Sequence, residues 1–172
     1  MEDPGGSENF EHGGWSFKFE RGDQGDQFKL NETLQSDALL LGRVTYQGFA
    51  EAWPSRTGEF ADKFNSMPKF VVSTTLEDPE WSNTTVIKGN VAEEVAKLKQ
   101  RPGGDIVIHG SAQLVQTLLE DDLIDEYRLM VFPIVLGSGK HLFRDTGNAT
   151  TLKLVDSKTV GAGVLILTYQ PA

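Results

Sequence analysis

Three segments of the sequence place glycine or hydroxyl-bearing residues directly after short apolar runs. They are Leu41-Gly42-Arg43-Val44-Thr45, Val72-Ser73-Thr74-Thr75 and Ile108-His109-Gly110-Ser111-Ala112-Gln113. Glycine lets a backbone approach a ligand closely, and short hydroxyl side chains suit phosphate and ribose oxygens. Arg43 adds a planar cationic fork that matches phosphate and could pair with an adenosine 2′-phosphate. These residue types together predict a site for a phosphorylated dinucleotide, with NADP preferred to NAD.

The segment at Gly42 also predicts the start of a helix. The three leucines before it are too few for a helix and indicate a buried strand, whereas Tyr46, Phe49 and Trp53 follow at helical spacing. A helix that starts here points free backbone N–H groups and a partial positive charge at its entrance, which suits an anion. A plain helix start with a solvated Arg43 is the alternative interpretation, and the motif alone leaves both open.

The elements around these segments alternate between strand and helix. Strands are predicted at 38–41, 69–73, 84–87 and 105–109, and helices at 26–35, 45–52, 59–65, 91–100 and 111–119. Such alternation predicts parallel strands joined by right-handed crossovers. Only strand patterns follow, at 126–135, 152–160 and 164–169. The prediction is an α/β fold of three layers, with a mixed sheet that is mostly parallel, has antiparallel C-terminal strands and is flanked by helices.

The chain is predicted to form one domain over residues 1–172, because neither a repeat nor a linker interrupts it and its length supports one sizeable core. Residues 1–25 are rich in glycine and acidic residues and are predicted to be irregular. In the helix predicted at 26–35, the candidates for burial are Phe28, Leu30 and Leu34.

The predicted topology brings the three segments to one place. If their strands are parallel, all three turns lie along one edge of the sheet, and ligands of such sheets bind beyond the carboxyl ends of the strands. Each turn alone is weak evidence, and three on one edge are stronger. The alternative is that these residues only form the turns, since turns at strand ends often carry such residues without a functional role. The pattern differs from the GxGxxG fingerprint, and Gly137-Ser138-Gly139 lies between predicted strands, so it indicates a turn.

Composition excludes several classes of protein. The formal net charge of −9 argues against a general nucleic-acid binder, which needs a basic face. The sequence has no cysteine, so disulfides, thiol nucleophiles and cysteine-bound metals are excluded. The three histidines have no ligand spacing, and no metal site is predicted. No apolar stretch is long enough to span a bilayer and no signal peptide is apparent, so we expect a cytoplasmic location and no membrane partner.

Several stretches together resemble the dihydrofolate-reductase-like superfamily. More closely, they are similar to stand-alone relatives of the reductase domain of bifunctional riboflavin-biosynthesis proteins. The stretches are Asp37-Ala-Leu-Leu-Leu-Gly-Arg-Val-Thr-Tyr46, Lys69-Phe-Val-Val-Ser-Thr-Thr75, Asp105-Ile-Val-Ile-His-Gly-Ser-Ala-Gln-Leu114 and Asp125-Glu-Tyr-Arg-Leu-Met-Val-Phe-Pro-Ile-Val-Leu-Gly-Ser-Gly-Lys-His-Leu-Phe143. The last is the most specific, because its Pro-x-x-Leu-Gly-x-Gly-x-x-Leu-Phe pattern is unusual.

The resemblance implies a reductase fold that binds NADPH and forms a homodimer. It assigns the phosphate to Gly42, Arg43 and Thr45, and the adenosine side to Ser73, Thr74 and Thr75. It assigns the pyrophosphate and nicotinamide side to Gly110, Ser111, Ala112, Gln113 and Leu114. A zinc deaminase half, which some riboflavin proteins carry, needs cysteines that this sequence lacks.

Catalytic and substrate residues are less clearly indicated. Counting back from Gly42 without gaps, Asp26 falls near the acidic residue of dihydrofolate reductases, and an apolar pocket would raise its pKa. A cap on the helix predicted at 26–35 is its alternative role. Trp15, Phe49 and Trp53 could stack on a flat heterocycle, although core aromatic residues are equally expected. For His109, covering the sheet end is favoured over catalysis.

Three functions are compatible with these features. The leading hypothesis is an NADPH-dependent reductase of a small heterocycle, similar to 5-amino-6-(5-phosphoribosylamino)uracil reductases. Family members usually begin with a central strand ending in a Ser-Leu-Asp-Gly-like turn, and this chain starts with Met1-Glu-Asp-Pro-Gly-Gly6, so we expect that strand to be absent. Its loss motivates the alternative of an NADP(H)-binding module without turnover. A true dihydrofolate reductase is the third hypothesis, and it predicts tight methotrexate binding.

Overall fold

The computed structural model describes residues 2–144 and 149–172. A short 3₁₀ helix, Trp15–Lys18, comes first. The remaining elements are α1 (Gly22–Gln35), β1 (Ser36–Gly42), α2 (Arg43–Ala52), α3 (Glu59–Ser66), β2 (Lys69–Val72), β3 (Thr84–Ile87), α4 (Val91–Lys99), β4 (Asp105–Val107), α5 (Ala112–Glu120), β5 (Tyr127–Val131), β6 (Leu152–Val160) and β7 (Val164–Pro171). Among these described residues, no helix has both the length and the apolar character needed to cross a bilayer.

The chain divides into two compact units. The central unit comprises residues 29–123, and the terminal unit comprises residues 1–28 with residues 124–172. The single domain predicted over residues 1–172 therefore stays a prediction. The predicted fold class is confirmed, since four parallel strands and three antiparallel C-terminal strands occur with flanking helices, although they form two sheets.

The central unit contains a parallel sheet in the order β3-β2-β1-β4. β1 lies inside the sheet, where Leu39, Leu40 and Leu41 are at most 1% exposed. Leu39 and Leu41 belong to a core cluster with Tyr46, Phe64 and others. Uninterrupted apolar residues suit a strand covered on both faces, which is why this run forms a strand despite its short length.

The amino edge of this sheet is closed by a buried lysine. Lys69 begins β2 and is fully buried, and its Nζ donates to the carbonyl oxygens of Asn65 at 2.7 Å, Met67 at 2.9 Å and Ser82 at 3.0 Å. Nζ also lies 4.3 Å from the centre of the Trp81 ring. Burial lowers the pKa of Lys69 to about 8. One cation therefore joins the end of α3 to the segment that leads into β3.

The terminal unit contains an antiparallel sheet in the order β5-β7-β6. Val160, Val164 and Ile166 form its core, with Phe19 and Phe28 packed against them. The turn between β6 and β7 requires glycine, because a Cβ on Gly161 would lie 2.0 Å from the carbonyl oxygen of Glu20. β5 ends at Val131, four residues before the predicted end, as Pro133 lacks the N–H group that a strand ladder needs.

Helix α1 begins earlier than predicted. The sequence indicated an irregular segment over residues 1–25, whereas α1 starts at Gly22 and a 3₁₀ helix precedes it. Gly22 has a φ of +64°, and a Cβ there would lie only 3.4 Å from Gly161 Cα. This glycine thus allows the chain to pass close to the β6–β7 turn as the helix starts. A high glycine content indicated an irregular segment, whereas here a glycine begins the helix.

The buried face of α1 also differs from the prediction. Leu34, predicted to be buried, is 37% exposed, whereas Glu32 and Thr33 are 6% and 0% exposed. Ser36, at the start of β1, is also buried, and its hydroxyl donates to the carbonyl oxygen of Glu32 at 2.7 Å. The second half of α1 therefore turns polar groups inward, a pattern that apolar periodicity does not reveal.

Candidate functional site

The carboxyl edge of the parallel sheet brings the predicted segments together. All four strands run in the same direction, and register pairs Gly42 with Val72 and Val72 with Ile87. α2 begins at this edge directly after β1, and α4 and α5 begin here after β3 and β4. Helix N-termini carry unpaired N–H groups and a partial positive charge, so three of them make this edge favourable for an anion.

The first and third segments touch each other. A Cβ built on Gly42 would lie 2.4 Å from Ser111 Oγ and 2.6 Å from Ser111 Cβ. Only glycine therefore fits at position 42, because any side chain would collide with the turn that follows β4. The turns of two neighbouring strands are in direct contact, as one ligand spanning both of them requires.

The turn after β4 adopts an unusual backbone. Gly110 has a φ of +121° and Ser111 a φ of +76°, which is costly for a residue with a side chain. A Cβ on Gly110 would approach Thr45 Oγ1 at 4.0 Å and meet no closer atom. The space beside Gly110 and Thr45 is therefore open.

The caps of the three helices distinguish α2 from the other two. Asn90 caps α4 by accepting from Glu93 N, and Ser111 caps α5 by accepting from Leu114 N, both at 3.4 Å. No side chain caps α2 at Gly42. The side chain of Leu114 is buried, and its N–H group donates to Ser111 Oγ. Its contact with the cofactor stays a prediction. Ala112 is half-buried and Gln113 is exposed beside it.

The second segment is shaped by its own serine. Ser73 is buried, and its Oγ accepts from Thr75 N at 3.1 Å and Leu76 N at 2.9 Å. Its backbone N–H group donates to the carbonyl oxygen of Ile87 at 3.1 Å, which holds the ends of β2 and β3 together. Ser73 thus forms the turn, and Thr74 and Thr75 are the exposed hydroxyls at this position.

Two exposed cations lie at this edge. Arg43 occupies the first turn of α2, and its Nη1 donates to Gln47 Oε1 at 3.0 Å. Lys88 follows β3 directly and was not identified from the sequence. The strand at 84–87 was predicted from the sequence. Examining the residues after this strand, as was done for the other three, would have identified Lys88.

A largely buried polar cluster joins His109, which follows β4, to two residues of α1. Lys29 Nζ forms an ion pair with Glu32 Oε2 and lies 3.2 Å from His109 Nδ1. The side chains of Glu32 and His109 are only 5% and 12% exposed. Sequence reasoning placed His109 at the sheet end, where it lies, and did not identify Lys29 or Glu32. Their spacing of three residues on a helix was the available signal.

The protonation state of His109 follows from this geometry. Burial, and then the charge of Lys29, hold the pKa of His109 well below its ordinary value, so the ring is neutral. An ammonium group can only donate, so Nδ1 accepts from Lys29 and the ring proton lies on Nε2. Within the described residues, two buried side-chain atoms lack a hydrogen-bond partner, His109 Nε2 and Thr33 Oγ1.

Asp26 does not lie in the apolar pocket that its predicted catalytic role required. Its side chain is 66% exposed and pairs with Arg21 at 2.8 Å. The structure therefore gives Asp26 a solvent-exposed ion pair and not an apolar environment. The catalytic role of Asp26 stays a prediction.

The three aromatic residues predicted to contact substrate serve as packing groups. Phe49 and Trp53 pack against the core cluster of the central unit, and the Trp53 and Phe64 ring centres are 4.7 Å apart. Trp15, in the terminal unit, is 9% exposed and contacts Phe132 edge to face at 5.1 Å. The core role that the sequence left open is thus the one observed, and contact with substrate stays a prediction.

Comparison with known proteins agrees with this architecture. Residues 11–166 match the RibD C-terminal domain model. The uncharacterized protein YyaP of Bacillus subtilis (strain 168) is 35% identical over 140 residues, which cover 78% of this chain and 74% of that protein. Both matches therefore cover most of the chain.

Solved structures show the same fold. A putative riboflavin biosynthesis protein from Shewanella sp. PV-4 matches with a TM-score of 0.76 and 24% identity, over 92% of this chain and 87% of that one. The Thermotoga maritima diaminohydroxyphosphoribosylaminopyrimidine deaminase/5-amino-6-(5-phosphoribosylamino)uracil reductase matches with a TM-score of 0.63 and 13% identity, over 87% and 49%. The chain belongs to the RibD C-terminal domain family.

Proposed function

We propose that this protein is an NADPH-dependent reductase of a small heterocycle, of the kind that acts on 5-amino-6-(5-phosphoribosylamino)uracil. The contact between Gly42 and Ser111 carries the proposal, because it joins two glycine-containing turns at an edge where three helices begin. Membership of a reductase-like family supports the same class of reaction. NADPH would supply the hydride, and the chain would bind and orient it.

Each part of the cofactor would contact residues at a different strand end. Arg43 and the uncapped N-terminus of α2 would hold the adenosine 2′-phosphate, with Lys88 as a second cation for the same charge. Thr45 and the open turn at Gly110 would receive the pyrophosphate. Thr74 and Thr75 would border the adenosine.

The Lys29–Glu32–His109 cluster is the proposed end for the substrate. His109 directly precedes Gly110 in sequence, and the cluster offers charged groups in a largely buried setting. Heterocycles with amide-like edges need both donors and acceptors, which lysine and glutamate provide. Glu32→Gln should therefore weaken substrate turnover more than NADPH binding, and equal losses of both would contradict this division of the site.

The test combines binding and turnover. NADPH binding is measured by fluorescence titration, and NADPH oxidation is followed with candidate aminopyrimidines and with dihydrofolate. Oxidation with an aminopyrimidine supports the reductase. Oxidation with dihydrofolate together with tight methotrexate binding indicates a dihydrofolate reductase instead.

A binding module without turnover is the second candidate, and one observation favours it. Asp26, the predicted acid, is exposed and paired with Arg21. NADPH binding without oxidation of any candidate substrate, including by a chain extended with the family's leading strand, would support this module and contradict the reductase.

A further inference from the structure

The parallel sheet of the central unit has a free edge at β3, its outermost strand. Lys69 N donates to the carbonyl oxygen of Asn83 at 2.8 Å, and Ser73 N donates to that of Ile87 at 3.1 Å. Residues 83, 85 and 87 therefore face β2, and the N–H and C=O groups of the residues between them point the other way. Val86 thus presents both of its backbone groups at the free edge, where no backbone group of the described residues pairs with them.

A groove of about 300 Å³, here called the β3 groove, lies along this edge. It is lined by residues 85–89, by Phe70 of β2, and by Glu94, Leu98 and Arg101 of α4 and the turn after it. Its floor is apolar, because Ile87 and Leu98 are buried and Phe70 is half-buried. The free backbone groups of β3 therefore adjoin an apolar surface, which is the combination that an added strand requires.

A cation stands at each end of the β3 groove. Lys88 follows the carboxyl end of β3, and Arg101 lies 5.7 Å from the centre of the Phe70 ring, beside the second residue of β3. Within the described part of the chain, neither cation forms an ion pair. The carboxylate of the lining, Glu94, is paired with Lys97 at 2.9 Å. In a chain with a net charge of −9, two such cations beside an apolar floor favour an acidic ligand.

We propose that the β3 groove binds an extended segment of a partner protein, which adds a strand to β3 and carries acidic residues at its two ends. Every second side chain of such a strand faces the groove, so the acidic residues meet Lys88 and Arg101 while apolar residues between them cover the floor. The edge is four residues long and accommodates one short segment. A second copy of this chain fits poorly, since pairing two β3 edges brings the cations of both copies together.

A symmetric probe peptide tests the proposal for either strand direction. The capped heptapeptide Glu-Thr-Val-Thr-Val-Thr-Glu, carrying a fluorophore, is titrated with the full chain and followed by fluorescence anisotropy. It should bind with a dissociation constant below about 1 mM, and the same peptide with lysine at both ends should bind at least about tenfold more weakly. Because no nucleotide is present in the titration, the result does not depend on the proposed NADPH site.

Variants separate strand pairing from charge. Val86→Pro removes the outward N–H group, which the ladder with β2 does not use, and should raise the dissociation constant at least about fivefold, whereas Val86→Thr keeps that group and should bind as the wild type does. Arg101→Glu should raise the dissociation constant at least about tenfold. Lys153→Glu, at an exposed position of β6, is the control and should leave it unchanged.

Circular dichroism checks the folding of each variant. A probe N-methylated at both valines and at the central threonine lacks its central donors and should bind at least about fivefold more weakly, so it decides the question of pairing if Val86→Pro unfolds. Absence of binding to the wild-type protein, or equal binding of the acidic and lysine peptides, overturns the proposal. Binding that both Val86→Pro and N-methylation leave intact also overturns it, since the groove would then bind acidic side chains without adding a strand.

Discussion

The two edges of the parallel sheet use polar groups in opposite ways. At the amino edge, one buried cation, Lys69, donates to three backbone carbonyls and ties neighbouring elements together. At the carboxyl edge, Gly42 and Ser111 bring two turns into contact, and three helices point their N-termini outward from the strands. Similar strands thus lead to a fully paired structural contact at one end and to the proposed NADPH site at the other.

This difference separates stability from function within one sheet. Polar groups that are fully paired inside the protein favour a single structure and have nothing left to offer a ligand. Backbone held in a costly conformation, as at Ser111, persists where the surrounding structure fixes it and is often functional. Substitutions at the amino edge should therefore lower the free energy of unfolding, and substitutions at the carboxyl edge should weaken NADPH binding.

The largest expected effect is on stability, from Lys69→Met. Methionine keeps an unbranched apolar stem, one atom shorter than that of lysine, but removes the donor of three backbone carbonyl groups. The free energy of unfolding should fall by about 2–4 kcal/mol. Urea denaturation measures it, and Lys153→Met, at an exposed position, serves as the control. A change no larger than that of the control would show that the hydrogen bonds of Lys69 contribute little to stability.

Gly42→Ala should disrupt the carboxyl edge instead. Its methyl group would overlap the side chain of Ser111, and the turn would have to move, at a cost of about 1–3 kcal/mol. NADPH affinity should fall, as measured by fluorescence titration. Gly5→Ala, where a Cβ meets no atom within 4 Å, is the matched control. Adding Ser111→Gly to Gly42→Ala removes the overlapping atoms, and failure of that second change to restore affinity would argue against the contact.

Arg43→Ala should abolish the preference for NADPH over NADH. Loss of one charge-assisted contact to the 2′-phosphate costs about 1–3 kcal/mol, and NADH lacks that phosphate. Titration with both nucleotides gives the ratio of their dissociation constants. Val44→Ala, the neighbouring exposed position, should keep the wild-type ratio. An unchanged ratio in Arg43→Ala would mean that another group recognises the phosphate.

Two substitutions of Ser111 should differ from each other. Alanine loses the cap of α5 and keeps the costly φ of +76°, so stability should fall by about 1 kcal/mol. Glycine also loses the side chain but tolerates that φ, so its effect should be only a few tenths of a kcal/mol. Thermal or urea unfolding distinguishes them. Equal effects of the two would show that backbone conformation contributes little here.

The pH dependence of stability offers a smaller test of the amino edge. Burial lowers the pKa of Lys69 to about 8, below that of an unfolded lysine, so at higher pH the unfolded chain binds more protons. The contribution of Lys69 should therefore make the protein more stable as pH rises from about 8 to about 9, by up to about 1 kcal/mol. The difference between wild-type and Lys69→Met unfolding curves isolates it. A constant difference over that range would show that the three hydrogen-bonded carbonyl groups keep Lys69 protonated, against the effect of burial.

Much of this architecture was predictable because local patterns determine it. The leucine run before Gly42 and the alternation of strands with helices indicated the parallel sheet, and the structure places the three predicted segments at its carboxyl edge. Binding of a dinucleotide at that edge stays a prediction. The polar face of α1 was not predictable in the same way. Glu32 is buried because Lys29, three residues earlier, is paired with it, and an apolar pattern cannot report such a pair.

Other features depend on contacts between residues that are distant in sequence. The role of Lys69 requires carbonyl groups from two other segments, and the need for glycine at 42 arises from Ser111 on another turn. Asp26 was placed by counting residues, which gives a position along the helix but not the direction of its side chain. These relationships appear only once the chain is folded.

The carboxyl edge of the parallel sheet is the proposed NADPH site. Isothermal titration calorimetry of NADPH into the wild-type protein and the Gly42→Ala variant tests it most directly. We expect one binding site per chain in the wild-type protein and weaker binding in the variant, with the fold of both intact by circular dichroism. Absence of binding to the wild-type protein, or identical affinities of the two, would contradict it.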